Sequence, residues 1–308
     1  MKILLANNKL RYLGGTETYA YAMAGELRRQ GHEVDAFSFR SGLISDRMRS
    51  DYGVRIVSEK DIQRGSRKYD VILANHSTTV KFLREAKSGF IIQTCHGVTT
   101  ALEQPSPFAH AYVAISEELV EHIREVSGKD ATCIVNGVDC DRFSPGHPIG
   151  ATLKRVLSLS HDQDLNQRMG KAFANRGITM LSLNKFVNPV WDVERYINQA
   201  DMVVSLGRGA YEAMACARPV LVLDQRKGRP LKGDGLILPE NMQEFLRCNC
   251  RGQAFQYTDV EEMVEMAIAG YTPSLGTWCR QFALENLNIE HQVQKYIDLC
   301  RQLIWYMF

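Results

Sequence analysis

Met202-Val203-Val204-Ser205-Leu206-Gly207-Arg208-Gly209-Ala210-Tyr211-Glu212-Ala213-Met214-Ala215-Cys216-Ala217-Arg218-Pro219-Val220-Leu221-Val222-Leu223 reads as strand, glycine turn, short helix and strand. Two short apolar runs, rich in β-branched residues, flank a small-residue segment with helical spacing. That is the pattern of a parallel βαβ crossover. The backbone N–H groups of Gly207, Arg208, Gly209 and Ala210 open the helix and have no partner within it. Such a helix start is a ready site for phosphate. Glu212 is the single carboxylate of the helix and sits among Ala, Met and Cys. An acid in apolar company needs a polar partner, so Glu212 is either a capping acid or a ligand contact.

Outward from this unit the alternation continues. Upstream, strands are expected over 155–160 and 179–183, with helices over about 164–175 and 191–200. Downstream, a basic turn carrying Arg226, Lys227 and Arg229 precedes an expected strand over 236–238 and helices near 240–247 and 259–269. This turn is either a solvated loop or a phosphate contact. The tail from 275 reads as helical, and Val293, Tyr296, Ile297, Cys300, Leu303 and Ile304 form its core-facing stripe.

The first half has the same organisation. A strand over 2–6 leads to Leu13-Gly14-Gly15-Thr16-Glu17 and a helix with Tyr19, Ala20, Met23, Ala24 and Leu27 on one face. Thr16 is the expected helix cap. Gly14 and Gly15 make either a tight turn or a close approach of backbone to ligand, and they do not form the G-x-G-x-x-G dinucleotide fingerprint. Strands are expected over 33–39, 55–57, 71–74, 90–94, 111–115 and 132–135. Asn75-His76 and Cys95-His96-Gly97 directly follow two of them. Ligands of open parallel sheets bind beyond the carboxyl ends of strands, which makes His96, with its neighbour Gly97, a site candidate. Ser116 is placed to cap the helix that follows. The Pro/Gly-rich run 144–150 marks the expected linker, giving domains over 1–147 and 151–288 and a final helix over 289–308.

Bulk properties exclude several classes. The 308 residues suffice for two domains, and 45% are hydrophobic. A formal net charge of +2 argues against a nucleic-acid binder working by bulk charge. The eight cysteines make no C-x-x-C pair and mostly fall in apolar patterns, as expected of reduced thiols in the cytosol. No apolar segment approaches the roughly 18 residues of a membrane span, and the apolar start is too short for a signal peptide. G-x-x-x-x-G-K-[ST], H-E-x-x-H and G-x-S-x-G are absent. Asp139-Cys140-Asp141 is too weak a ligand set to read as a metal site.

Five fragments in order carry a resemblance. They are Leu13-Gly14-Gly15-Thr16-Glu17, Thr94-Cys95-His96-Gly97, Val113-Ala114-Ile115-Ser116-Glu117, Ile134-Val135-Asn136-Gly137-Val138-Asp139-Cys140-Asp141-Arg142-Phe143, and the stretch from Ala200-Asp201 to Val220. Together they resemble the retaining glycosyltransferases of family 4 (group 1), in a short form. The resemblance implies an α/β fold of two Rossmann-like domains facing a cleft (GT-B), with the last helix crossing back to the first domain. It implies transfer of a sugar from a nucleotide-diphosphate sugar, with retention and without a cofactor or metal. Glu212 would bind the donor ribose, and Gly207, Arg208, Gly209 and Ala210 would meet the diphosphate, as would Gly14 and Gly15 from the first domain. His96 would contact the transferred sugar, so His96, Arg208 and Glu212 are the expected catalytic residues, with Arg226 and Lys227 as further phosphate contacts.

The chain departs from the pattern at two places. Val204 stands where these enzymes carry a second glutamate, eight positions before Glu212. Ser160-His161-Asp162 stands where they carry an Arg and a Lys. Two alternatives stay open: a transferase acting on nucleic acid, and a nucleotide-sugar-binding protein of weak activity. The acceptor class is open among glycan, lipid-linked sugar, small molecule and nucleic acid, and the expected location is the cytoplasm, free or peripheral at the membrane.

Overall fold

The structure, a computed structural model, describes residues 1–65, 67–225 and 230–305. The expected phosphate contacts Arg226 and Lys227 lie outside them. The chain divides into two compact units, Met1–Gly137 with the helix from Ile289, and Val138–Asn288.

Unit 1 alternates strand and helix: β1 (Lys2–Leu10), α1 (Gly15–Arg29), β2 (Glu33–Ser41), α2 (Leu43–Tyr52), β3 (Arg55–Val57), α3 (Glu59–Gln63), β4 (Tyr69–Ala74), α4 (Ser77–Glu85), β5 (Gly89–Cys95), β6 (Ala111–Ala114), α5 (Glu117–Ser127) and β7 (Thr132–Cys133). The seven strands are ordered β3-β2-β1-β4-β5-β6-β7, and every pairing is parallel. Ile3, Leu4, Leu5 and Ala6 are all buried, as in a parallel strand covered on both faces. β1 runs four residues beyond the expected Ala6, and its end bears the polar pair Asn7-Asn8. Strand order reverses between β1 and β4, so the crevice outside their carboxyl ends is the topological switch point of this sheet.

Unit 2 contains β8 (Arg155–Ser158), α6 (Gln163–Ala174), β9 (Thr179–Ser182), α7 (Val193–Gln199), β10 (Met202–Ser205), α8 (Gly207–Ala215), β11 (Val220–Asp224), β12 (Lys232–Leu236), α9 (Met242–Arg247), α10 (Val260–Gly270) and α11 (Pro273–Phe282). Its order is β12-β11-β10-β8-β9, parallel except for β12 against β11, with the switch point between β8 and β10. β12 falls earlier than the strand expected over 236–238. Gly233 and Gly235 read locally as a turn, but they pair antiparallel with β11 through a bulge, marked by a register shift between Val222 and Leu223, at which Gly235 takes φ +81°. α12 (Ile289–Trp305) belongs to unit 1, where Val293, Tyr296, Ile297 and Cys300 are buried. No helix among the described residues is long and apolar enough to cross a membrane.

The Pro/Gly run 144–150 lies inside unit 2, and hydrogen bonds account for this. Asn198 Nδ2 donates to the Ser144 carbonyl (2.9 Å), and the Gly146 N–H donates to Asn198 Oδ1 (2.8 Å). Tyr271 donates to the Gly150 carbonyl at 2.7 Å. Asp201 accepts from the backbone N–H groups of Gly150 (3.2 Å), Lys154 (3.1 Å) and Arg155 (2.8 Å), and from the Arg155 guanidinium (3.3 Å). Further back, Arg280 Nη1 donates to the carbonyls of Cys140 (3.0 Å), Phe143 (2.8 Å) and Ala215 (2.8 Å). A Pro/Gly composition signals a turn, but these bonds tie the turn to the second unit.

Asp201 gives the first testable consequence. Burial pushes its carboxyl up, but Arg155 and the three backbone donors outweigh burial and hold it below the ordinary carboxylate value. A depressed acid contributes stability above its unfolded pKa, about 3.9, and loses it as pH falls through the folded value. Asp201→Asn should therefore cost about 1–3 kcal/mol at neutral pH. In urea unfolding, the gap between wild type and variant should narrow as the pH is lowered below about 4. A gap independent of pH would contradict this role.

Candidate functional site

The opening stretch folds as read, with β10 ending at Ser205 and α8 starting at Gly207 on the carboxyl side of the unit 2 sheet. No side chain caps α8, and its first turn carries no acid. Gly207 has φ +50°, a left-handed conformation that favours glycine, and its N–H donates to the Cys250 carbonyl at 2.9 Å. Gly209 is needed for packing: a Cβ there would run into Ser205 Oγ and meet Leu159. Helix α8 thus sits close against β10 and the end of β8. Ala210 is fully buried.

Glu212 has an internal partner. Arg208, one turn earlier, donates from Nε to Glu212 Oε1 at 2.8 Å, and the two side chains are 11% and 13% exposed. The i,i+4 spacing puts the two side chains on one face of the helix, so Arg208 is the polar partner that an acid in apolar company requires. A second pair stands nearby. Arg142 binds Glu194 (3.0 Å) and the Trp191 carbonyl (2.5 Å), with its guanidinium over the Trp191 ring. Burial raises the Glu212 carboxyl above its ordinary value, against the opposing pull of Arg208 and then Arg142. The result is a largely buried carboxylate, held by arginine, one turn into a helix whose N-terminus carries no side-chain cap.

The Ser160-His161-Asp162 segment, after β8, supplies no cation. Asp162 caps α6 through the Leu165 N–H at 2.8 Å, and His161 is neutral, its pKa lowered to about 4 by burial and then by Lys185. Sequence reasoning missed the group around His161. Phe186, from the loop after β9, stands edge-on to the His161 ring at 5.2 Å and is 76% exposed, with Lys185 Nζ at 5.2 Å from the Phe186 ring. β9 and its loop are sequence neighbours of β8 only through the sheet, so nothing local joins these residues.

In unit 1 the expected residues gather at the carboxyl ends of β1, β4 and β5. Gly14 is the N-cap of α1 and no side chain caps the helix. Thr16, the expected cap, lies inside the first turn and donates its hydroxyl to Glu17 Oε2 at 3.0 Å. The Glu17 carboxylate folds over Gly14, where a Cβ would collide with it, whereas a Cβ on Gly15 would meet open space. A side chain at position 14 would have to displace the Glu17 carboxylate, and the fold makes no steric demand for glycine at position 15.

His96 follows β5, and its Nε2 lies 3.0 Å from Asn75 Oδ1. Asn75 Nδ2 donates to Asn7 Oδ1 at 2.6 Å, and Asn7 Nδ2 donates to the carbonyls of Lys9 (3.2 Å) and Thr16 (3.3 Å). The edge of Tyr19 packs against the His96 ring at 5.0 Å. The Tyr19 hydroxyl donates to that of Tyr296 on α12 (2.8 Å), which also bonds the Thr94 hydroxyl (2.9 Å). His76 stands apart from this chain of bonds. Its Nδ1 accepts the Asn8 N–H at 3.1 Å, and burial and then Lys9 lower its pKa to about 4.

Comparison with known proteins bears on the family and the fold. Residues 13–142 match the family model Glycosyltransferase Family 4. No curated protein matches the chain by sequence. Solved structures do match it. Anabaena HepE, in complex with UDP and glucose, is similar at TM-score 0.69 and 12% identity, over 98% of this chain and 100% of that one. A glycosyltransferase from Rickettsia africae is similar at TM-score 0.67 and 13% identity, over 98% of each chain. AviGT4, a glycosyltransferase of avilamycin A biosynthesis, is similar at TM-score 0.62 and 14% identity, over 99% of this chain and 98% of that one. At such identities the structural likeness speaks to the fold, while the family match rests on the segment that carries the glycine loop and His96. Residues 13–142 thus match the Glycosyltransferase Family 4 model, and the chain as a whole shares the α/β fold of these solved glycosyltransferase structures.

Proposed function

We infer that this chain transfers a sugar from a nucleotide-diphosphate sugar to an acceptor hydroxyl, with retention of configuration and without a metal. The observation that carries the reading is the start of α8, an uncapped glycine turn at the switch point of its sheet with Glu212 buried one turn in. The Gly207 N–H is held by the Cys250 carbonyl and the Gly209 N–H by the Leu206 carbonyl, so it is the positive end of the helix dipole at this start that stabilises the charge growing on a departing diphosphate. Glu212 accepts hydrogen bonds from the donor ribose, Arg208 holds that carboxylate and adds positive charge beside the phosphates, and His96 contacts the transferred sugar. The uncapped start of α1 offers N–H groups at Gly14 and Gly15. UDP in the HepE complex supports a uridine donor.

A panel of nucleotide sugars in a thermal-shift assay tests the reading, since a true donor at 100 times its Kd stabilises the fold by about 2.7 kcal/mol. Gly15→Ala sharpens the test. Its Cβ meets open space, so the melting temperature without donor should hold, while donor affinity should fall about tenfold if the backbone approaches the diphosphate here. A panel without any shift would refute donor binding. One specific observation favours a second reading, binding without turnover: Val204 is fully buried in β10, where relatives of this pattern carry a glutamate. A donor that shifts the melting temperature but is neither hydrolysed nor transferred would decide for it.

A further inference from the structure

We propose that Asn75 is a positioning residue that fixes a proton on Nε2 of His96, and that this assignment is imposed by backbone carbonyls two residues away. The inference rests on the proposed role of His96 in transfer, and concerns what that ring can do.

The direction of each bond follows from the one before it. Asn7 reaches two main-chain carbonyls, those of Lys9 and Thr16, which only accept, so the group pointing at them is its Nδ2 amine. The opposite end, Asn7 Oδ1, must accept, so Asn75 presents its own Nδ2 there, at 2.6 Å. That leaves Asn75 Oδ1 toward the imidazole, and an oxygen 3.0 Å from Nε2 requires Nε2 to donate. Both asparagines are buried, at 1% and 4% exposure, so water does not offer either amide an equal alternative. Register holds the relay together. Ala6 pairs with Ala74 in the parallel β1–β4 ladder, and the Asn75 N–H donates to the Ala6 carbonyl at 3.0 Å, which places Asn75 beside Asn7. Thr16, at the start of α1, ties the relay to the glycine loop.

The chemical consequence is specific. Nε2 of His96 is a hydrogen-bond donor and is barred from acting as a base. The ring contributes orientation and hydrogen bonding to the sugar, in keeping with a retaining transfer in which the leaving diphosphate, and not a histidine at Nε2, takes up the acceptor proton.

Long-range ¹H–¹⁵N spectra of the whole protein, with His96 assigned through His96→Gln, read the tautomer directly. Wild type should carry the proton on Nε2. Asn75→Leu removes the acceptor, and Asn7→Leu frees the Asn75 amide to turn over, so both should shift the ring toward the Nδ1 tautomer. Asn7 does not touch His96 in this relay, so a purely structural role for it would leave the tautomer in place. In the transfer assay Asn7→Leu should lower kcat about tenfold with the donor KM held within about twofold, since orienting partners act through the group they hold. An Nδ1-protonated ring in wild type, or a tautomer unmoved in both variants, overturns the proposal, and the wild-type spectrum decides even if a variant fails to fold. The spectra need neither donor nor acceptor. Correct tautomers in a protein that transfers nothing would refute the proposed function alone, and transfer by a protein with the other tautomer would refute the relay alone.

Discussion

Glu212→Gln lowers kcat/KM for a nucleotide-sugar donor by about 10²–10⁴-fold. The estimate follows from hydrogen bonds to a charged group, about 1.5–3 kcal/mol each, made to two vicinal ribose hydroxyls, at about 1.4 kcal/mol per tenfold. Glutamine keeps the length of the side chain and can still accept from Arg208 Nε, so the loss reports charge and not collapse of the turn. A 2′-deoxyribose donor supplies the matching deletion on the substrate. Against wild type it should lose a comparable factor, and against Glu212→Gln it should lose much less, because two deletions of one interaction are not additive. Equal losses with both proteins would place the ribose elsewhere, and an undiminished rate for the variant would remove Glu212 from the site. Arg208→Ala is the less clean experiment. It strands a largely buried carboxylate, a change that costs stability as well as any contact with phosphate.

The largest expected effect on stability lies at Arg218, three residues beyond α8 and only 1% exposed. Its guanidinium is solvated by main-chain oxygens. Nη1 donates to the Cys216 carbonyl (2.7 Å), and Nη2 to the carbonyls of His147 (2.8 Å) and Asn198 (2.8 Å). It thereby ties the end of α8 to the Pro/Gly run and to the end of α7. Burial lowers its pKa, and the ring of carbonyls keeps the cation tolerable. Arg218→Met should cost about 3–5 kcal/mol, the sum of a partly filled cavity and stranded carbonyls. Arg218→Lys should recover little, since a compact ammonium cannot span acceptors that a planar fork reaches together. Arg195→Met, at an exposed position on α7, is the control and should stay within about 0.5 kcal/mol. Denaturant unfolding measures all three, and a loss below about 1 kcal/mol for Arg218→Met would mean that the segment 144–150 is held by its other bonds.

Much of this molecule is local and could be read from the order of residues. Apolar runs separated by helical spacing and glycine turns give two parallel β/α units because period and breakers are properties of short segments. Gly207 before α8, Ser116 capping α5 and the stripe on α12 belong to this class, as does the Arg208–Glu212 pair, one helical turn apart. The same locality explains the misreadings. Gly233 and Gly235 look like a turn until β11 pairs with them, and Thr16 looks like a cap until α1 begins at the preceding glycine. The Pro/Gly run looks like a free linker until Arg218, Asn198 and Asp201 bind it.

The sequence by itself determined the alternation of elements, the two glycine helix starts and the strand-end position of His96. Only the tertiary structure decided what those positions can do. Asn7 and Asn75 are 68 residues apart and meet because β1 and β4 pair in one register, and Asn75 and His96 meet because β5 is the next strand over. A hydrogen bond has a direction as well as a partner, and the direction at His96 is set by carbonyls of β1 and α1 that no local pattern connects to it.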